Sequence, residues 1–180
     1  MKNSKIISLV QIPLMTVIIV LCSWICLPLP VPITMQTFGI YAALTLLGGK
    51  KGLCSVLLYI LLGAAGLPVF AGFSAGLYHL VSPTGGYIWG FVFCALFFLF
   101  TEKYAKKSSS SQTLFLFLGT LLCYTTGTIW FCITVGTLSS LWYVLILCVV
   151  PFIFPDYLKI KLAVFLSKKL KPLINKTIKE

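Results

Sequence analysis

Long apolar stretches alternate with short polar or glycine-rich connections along the whole chain. A transmembrane helix needs about 20 mostly apolar residues, and six stretches approach or exceed that length: roughly 6–27, 33–49, 52–70, 87–102, 113–136 and a final span within 138–171. Glycine and proline mark the connections between them. The pattern predicts an all-α integral membrane protein in which residues 1–180 form a single membrane domain with six transmembrane helices.

The composition favours the same fold class. Hydrophobic residues make up 59% of the chain and charged residues only 9%, whereas an ordinary soluble domain has about 25% charged residues. A soluble domain of this size has too little interior to bury so much apolar surface. We therefore expect the outer surface of the protein to contact the lipid bilayer.

The basic residues are all lysines, and they occur in clusters between the apolar stretches. Lys2 and Lys5 precede the first span, residues 50–51 follow the second, residues 103–107 follow the fourth, and residues 168–179 follow the last. The alternate connections carry no formal charge. Lysine in short loops is retained on the cytoplasmic side, so the pattern predicts a multi-pass protein of the cytoplasmic membrane with both termini inside. The lysines are not interleaved with aromatic residues on one polar face, so we do not expect nucleic-acid binding.

The seven cysteines all lie inside apolar stretches and are expected to be small buried side chains. Cys22 and Cys26 could share one helix face, but no histidine or carboxylate lies near them in the sequence. We expect no metal site and no cofactor. Lys2 and Lys5 precede an apolar stretch that has no cleavage site, which favours an uncleaved first helix.

Residues 63–91, "GAAGLPVFAGFSAGLYHLVSPTGGYIWGF", are rich in glycine and contain two prolines. Irregular backbone at membrane depth is tolerated where it is buried in protein or lines a cavity, so we expect a cavity on the outer side. The only histidine, His79, lies here without a neighbouring carboxylate, and it is interpreted as a polar anchor more readily than as a catalyst.

The end of this segment has the features of a turn that opens a helix. Thr84 can cap the helix, and Gly85 and Gly86 permit close approach. Tyr87 and Trp89 would then offer an aromatic ring and a polar tip to a ligand. The alternative is an interfacial aromatic belt together with a glycine contact between helices at Gly86 and Gly90.

The stretch "PFIFPDYLKIKLA" contains Asp156, the one acidic residue inside an apolar segment. A charge within a span costs about 2.5–3.5 kcal/mol and marks a functional site by default. Lys159 is three residues away, hence on the same helix face, and can neutralise it in part. Together they could hold a polar, uncharged group such as an amide or urea; alternatively, the ion pair only joins helices.

The position of this pair depends on where the last helix begins. Pro155 prevents continuation of a preceding helix, and an aspartate at a helix start satisfies free amide groups. The sequence thus favours a last span that begins at Asp156, with residues 138–154 forming something shorter than a span. The alternative is a span that begins near residue 138.

Four blocks, in this order from Pro28 onward, resemble the BioY family, the biotin-binding S components of energy-coupling factor (ECF) vitamin transporters: "LPVPITMQTFGIYAALTLLGGKKG", "YILLGAAGLPVFAGF", "SPTGGYIWGF" and "PFIFPDYLKIKLA". The resemblance implies an S-component-like bundle that captures biotin from outside and is not an enzyme. It implies that Asp156 and Lys159 contact the ureido ring and that Pro83 to Tyr87 line the pocket. The substrate-binding residues expected on these grounds are Asp156, Lys159, Tyr87, Thr84, Gly85, Gly86, Trp89 and Gln36.

The chain also departs from the family pattern. Ser82 replaces a glycine, the chain contains no arginine for the biotin carboxylate, and the first helix lacks the alanines of a docking face. Ser8, Thr16, Cys22 and Ser23 are the small residues that could replace those alanines in part.

The resemblance implies transmembrane and ATP-binding ECF subunits as partners, because the chain has no G-x-x-x-x-G-K-[ST] motif of its own. An S component for a different small polar vitamin or a biotin precursor is the alternative. An intramembrane enzyme is disfavoured because the spans and outer connections hold few ionisable groups.

Overall fold

The computed structural model describes residues 2–27, 33–105, 107–136 and 141–177. The described residues do not include two uncharged connections predicted from the sequence, 28–32 and 137–140, or the lysines Lys106 and Lys179. Within those residues the chain forms eight α-helices, one pair of two-residue strands and a 3-10 turn. In chain order they are α1 (Lys2–Trp24), β1 (Cys26–Leu27), β2 (Ile33–Thr34), α2 (Gln36–Leu47), α3 (Gly49–Ala64), the 3-10 turn Ala71–Phe73, α4 (Tyr78–Val81), α5 (Gly85–Ala105), α6 (Ser109–Val135), α7 (Leu141–Cys148) and α8 (Val150–Thr177).

Helix α2 lies at the centre of the bundle and packs against α1, α3, α5 and α8. Its residues 39–45 are all buried, which agrees with a helix that is apolar around its whole circumference. The antiparallel pair β1–β2 joins α1 to α2, with Cys26 opposite Thr34. This short pair was not expected from the sequence, and it sets the position of the backbone that leads into α2.

Helices α5 and α6 form a long antiparallel hairpin that is packed through glycines. A Cβ atom added at Gly90 would lie 2.6 Å from Cys123 Sγ, and one added at Gly119 would lie 2.9 Å from Cys94 Sγ. A Cβ atom at Gly86 would overlap Trp130. Gly86 and Gly90 therefore both lie in a close contact between helices, as the alternative interpretation expected.

The outside of the bundle carries many exposed apolar side chains. On α1 they include Leu9, Leu14 and Leu21, and on α8 they include Phe154 and Phe165. Helices α5 and α6 are each long and apolar enough to cross a membrane, and Leu9–Trp24 and Gln36–Leu47 are shorter apolar helices. An all-α bundle with so many exposed apolar side chains is suited to a lipid environment, because a large exposed apolar surface is unfavourable in water.

The start of the last helix differs from both sequence-based alternatives. Helix α8 begins at Val150, with Pro155 inside it, and Asp156 is not its first residue. Pro151 lies in the first turn, where a backbone N–H has no helical partner. Pro155 removes the hydrogen bond to the carbonyl of Pro151 only, so the helix continues through it. The preceding helix α7 has eight residues and is shorter than a span, as expected for this region.

The small residues of α1 face the interior of the chain. Thr16, Cys22 and Ser23 are buried, and the Thr16 hydroxyl donates hydrogen bonds to the carbonyls of Ile12 and Ser55. The Ser23 hydroxyl donates to the carbonyls of Val20 and Val69. The suggestion that these three residues replace an alanine docking face is wrong, since they stabilise the contact between α1 and the rest of the bundle. The Ser8 side chain lies outside the description.

Gly90→Val should loosen the α5–α6 hairpin. The added side chain would meet Cys123 and force the helices apart, and overpacking of this kind costs about 1–3 kcal/mol. Thermal unfolding in detergent measures the effect, with Phe93→Val as the control on the exposed face of the same helix. Equal unfolding midpoints for the two variants would contradict the glycine contact.

Candidate functional site

The charged centre of the site is the ion pair between Asp156 and Lys159 on α8. Lys159 Nζ lies 2.8 Å from Asp156 Oδ1, and the two residues are only 2% and 7% exposed. The spacing of three residues puts both side chains on the face of α8 that packs against α2. Further along the same helices, Ser167 Oγ donates to the carbonyl of Thr45 at 3.0 Å.

Residues of β2 and α2 complete the coordination of the lysine. Lys159 Nζ donates to the Thr34 carbonyl at 2.7 Å and to Thr37 Oγ1 at 3.1 Å. With Asp156 as the third acceptor, all three protons of the ammonium group have protein acceptors. Lys159 is therefore held in place and has no spare proton for a ligand unless it releases one of these partners.

The aspartate, in contrast, keeps part of its hydrogen-bonding capacity. Asp156 Oδ1 accepts from Lys159 and from Thr37 Oγ1, each at 2.8 Å. Asp156 Oδ2 accepts from the Tyr124 hydroxyl of α6 at 2.7 Å. A carboxylate offers about four acceptor positions, so one position on Oδ2 remains for a donor that enters the cavity.

A cavity of about 360 Å³ opens beside this pair. Its walls come from α2, α5, α6, α7 and α8, and the connection between α3 and α5 contributes Phe70, Ala71, Ser74, His79 and Thr84. Small-molecule sites usually have volumes of about 300–1,000 Å³ and apolar walls with a few placed polar groups. The apolar part here includes Ile40, Ile88, Phe91 and Phe152.

Further polar side chains in the wall are held by one another. Tyr41 OH and Thr120 Oγ1 are 2.7 Å apart, and Gln36 Nε2 donates to Tyr59 OH at 2.9 Å. No buried side-chain nitrogen or oxygen lacks a hydrogen-bond partner in the described ranges. The polar wall is thus arranged before any ligand enters.

The structure brings five of the eight predicted site residues to the cavity. Asp156, Lys159, Tyr87, Thr84 and Gln36 line it. Trp89 does not: it is 41% exposed, and its ring N–H donates to the Leu80 carbonyl at 3.3 Å. Tyr87 and Trp89 are two residues apart on α5, so their side chains point to different faces of the helix and do not both reach the same cavity.

Gly85 and Gly86 also lie outside the cavity lining. A Cβ atom at Gly85 would overlap the Leu80 carbonyl, and one at Gly86 would overlap Trp130. Trp130 in turn donates its ring N–H to the Ser82 carbonyl at 3.0 Å. The two glycines therefore allow the turn that carries Thr84 to sit against α4 and α6, which is a positioning role.

Sequence reasoning missed Tyr124, Thr37 and Tyr41, and it gave little weight to His79, which lines the cavity. A signal for Tyr124 existed in α6, where buried polar residues recur at helical spacing: Thr113, Thr120, Tyr124 and Thr128. Among the described residues, no group of three or more His, Cys, Asp or Glu side chains could hold a metal ion.

Comparisons with known proteins agree on one family. A model of the BioY family matches residues 1–176. A probable biotin transporter BioY from Pyrococcus horikoshii is 38% identical over 142 residues, which cover 79% of this chain and 82% of that protein. The biotin transporter BioY2 of Lactococcus lactis is 33% identical over 131 residues, covering 72% of each chain. A crystal structure of the S-component for biotin from an ECF-type ABC transporter superposes with a TM-score of 0.83 at 28% identity, over 96% of this chain and 94% of that one.

Removing one partner of the ion pair should destabilise the protein even without a ligand. Lys159→Met leaves the Asp156 carboxylate buried without its cation, and breaking a buried pair in this way costs about 3–5 kcal/mol. Thermal unfolding in detergent should show a large loss for Lys159→Met and a smaller loss for Lys159→Met combined with Asp156→Leu.

The matched control is Lys161→Met, which removes an exposed lysine two residues along α8. We expect it to change stability by less than about 1 kcal/mol. The single variant Asp156→Leu completes the comparison. If the stability lost in the double variant equalled or exceeded the sum of the losses in the two single variants, the pair would not be coupled as the geometry indicates.

Proposed function

Since this chain belongs to the BioY family, we propose that it binds biotin with high affinity and serves as the substrate-capture subunit of an ECF-type vitamin transporter in the cytoplasmic membrane. The observation that carries the proposal is the buried Asp156–Lys159 pair in the wall of a largely apolar cavity. The relatives named above are biotin transporters, and such a transporter subunit is not an enzyme.

The chemistry of the cavity suits biotin. A ureido group offers two N–H donors and one carbonyl acceptor, and its sulfur-containing ring and alkyl chain are apolar. The free acceptor position on Asp156 Oδ2 suits a ureido N–H, while the hydroxyls of Tyr124 and Thr37 lie beside it. Lys159 holds the Asp156 carboxylate in position, and it contacts the ureido carbonyl by exchanging one of its three protein acceptors.

The remaining proposed contacts come from both sides of the pair. Gln36 lies at the start of α2, Thr84 in the turn before α5, and Tyr87 in the first turn of α5. Tyr87 OH is 3.4 Å from Thr128 Oγ1, and its ring forms part of the wall. Gly85, Gly86 and Trp89 support this wall from behind and do not contact the ligand.

Nanomolar affinity is within reach of such a site. A ligand of about 16 non-hydrogen atoms needs about −0.8 kcal/mol per atom to reach a nanomolar Kd, within the range of about −0.3 to −1.5 kcal/mol per atom known for small ligands. Because the polar groups are already hydrogen-bonded in place, little free energy is lost in ordering them.

The topology that fits this function has six spans, α1, α2, α3, α5, α6 and α8, with both termini in the cytoplasm. Lysines near the helix ends support it: Lys50 and Lys51 lie in the first turn of α3, and Lys103 lies in the last turn of α5. Helix α2 has 12 residues, about 18 Å, and is shorter than the bilayer core.

Transport requires partners that this chain does not contain. Without a phosphate-binding motif, ATP hydrolysis falls to separate ATP-binding subunits, joined through a transmembrane coupling subunit. The outward face of α1 presents Leu9, Leu14, Val17 and Leu21, so association here would depend on large aliphatic side chains and not on small residues.

Biotin titrated into the purified protein should bind with a submicromolar Kd, measured by calorimetry. Asp156→Asn should weaken binding at least about 30-fold, because it leaves a buried lysine without its charged partner and gives the ligand a donor where it needs an acceptor. The control is Tyr157→Phe, an adjacent residue whose ring packs edge-on against Phe117 at 6.2 Å.

Competition by desthiobiotin, lipoate and thiamine then separates biotin from other small polar vitamins. Absence of heat with biotin from a folded protein, together with binding of one of these competitors, would transfer the proposal to the S component for a different vitamin or a biotin precursor.

The orientation can be tested by labelling cysteines introduced at two exposed positions, after the native cysteines are replaced. Leu77→Cys should react with a membrane-impermeant maleimide in intact cells, whereas Ser110→Cys should react only after permeabilisation. Both residues are exposed on the described surface. The reverse labelling pattern would contradict the predicted topology.

A further inference from the structure

His79 lies in the wall of the cavity, in the connection that covers one end of it. Its ring is 5.8 Å from the rings of both Phe70 and Tyr78, measured between centroids. Among the described residues its imidazole nitrogens form no hydrogen bond to the protein, since the only bonds of His79 are those of its backbone. The imidazole is therefore half-buried, oriented by aromatic contacts, and available to a ligand.

The charge of the cavity singles out the same residue. The chain has no arginine, and Lys159 is the only lysine among the described residues that line the cavity. The three protons of Lys159 are already bound by Thr34, Thr37 and Asp156, and its charge is balanced by that of Asp156. His79 is the one further lining residue in the described chain that can carry a positive charge.

Hydroxyl groups stand near His79 in the same connection. Ser74 and Thr84 both line the cavity, and Ser82 Oγ donates to the His79 carbonyl at 3.0 Å while lying 3.3 Å from Thr84 Oγ1. A cation beside hydroxyl donors is a suitable environment for a carboxylate. Biotin carries a carboxylate at the end of its alkyl chain, away from the ureido group. A site for biotin must therefore hold this carboxylate as well.

We propose that His79, as an imidazolium, recognises the carboxylate of the bound ligand and so takes the place of an arginine in this chain. The ureido group then occupies the Asp156 end of the cavity, and the alkyl chain extends towards α4. This inference rests on the proposed function, because it assumes a ligand with a carboxylate.

The proposed contact depends on charge. An alkyl carboxylate, like a glutamate side chain, is ionised at neutral pH, so an imidazolium beside it adds to the affinity only when the ligand carries that carboxylate. A neutral analogue of the ligand therefore measures binding without this contribution.

Other titratable groups face the same cavity. They are the Asp156–Lys159 pair on α8, the tyrosines of α2, α5 and α6, and the cysteines of α5, α6 and α7: Tyr41, Tyr87, Tyr124, Cys94, Cys123 and Cys148. The carboxylate and ammonium of the pair neutralise each other. The experiment removes their contribution by comparing two ligands in the same cavity.

The test measures the Kd of biotin and of biotinamide for the wild-type protein and for His79→Gln under one set of conditions. We expect His79→Gln to bind biotin about three- to fivefold more weakly than the wild type does, the effect of one partly exposed ion pair. Biotinamide, which lacks the negative charge, should bind the two proteins equally.

Two more variants keep the outcome independent of folding defects. His79→Lys should bind biotin about as tightly as the wild type does, because it also places a cation at this position. Tyr78→Phe, a change at the exposed neighbouring residue, should keep the wild-type affinity for both ligands. Equal biotin affinity in the wild type and His79→Gln, or the same loss for biotin and biotinamide in His79→Gln, would overturn the assignment of His79. Failure of the folded wild-type protein to bind either ligand would instead contradict the proposed function and with it this assignment.

Discussion

The buried ion pair between Asp156 and Lys159 constrains the rest of the molecule. An unpaired charge in a low-dielectric interior costs several kcal/mol, so each charge must keep its partners in position. Those partners belong to distant parts of the chain: the Thr34 carbonyl from β2, the Thr37 hydroxyl from α2 and the Tyr124 hydroxyl from α6. The pair thereby joins three elements at one point, and the same contacts arrange the polar end of the cavity before a ligand arrives.

Close helix packing sets the shape of the cavity around that point. A Cβ atom at Gly127 would overlap the ring of Tyr87, and one at Gly90 would press on Cys123. Glycine at these positions lets α5 and α6 approach, so that Tyr87 and Cys123 line the cavity wall. The connection between α3 and α5 then covers the end of the cavity. The shape of the cavity thus depends on glycines that do not line it, as well as on the residues that do.

Sequence reasoning led to residues that line the cavity where one residue carried an evident energetic cost. A charge in an apolar segment is conspicuous, so Asp156 and Lys159 were identified, and a threonine and tyrosine after a proline turn led to Thr84 and Tyr87. Trp89 was assigned to the ligand because its type is suitable, but its direction is set by the helix, and it faces outward. Tyr124 and Thr37 were missed because hydroxyl-bearing residues are common in transmembrane helices, and only their shared contact with Asp156 distinguishes them.

The sequence by itself determined the class of protein, because transfer of apolar residues from water to lipid is a property of composition and of local periodicity. It also determined that a charged pair would lie on one face of the last helix. The tertiary structure alone decided how that pair is used. Lys159 and Thr34 are 125 residues apart in the chain, and no local pattern indicates that this contact satisfies one of the lysine's protons. The position of His79 in the cavity wall was decided in the same way, since it depends on packing between elements that are distant in sequence.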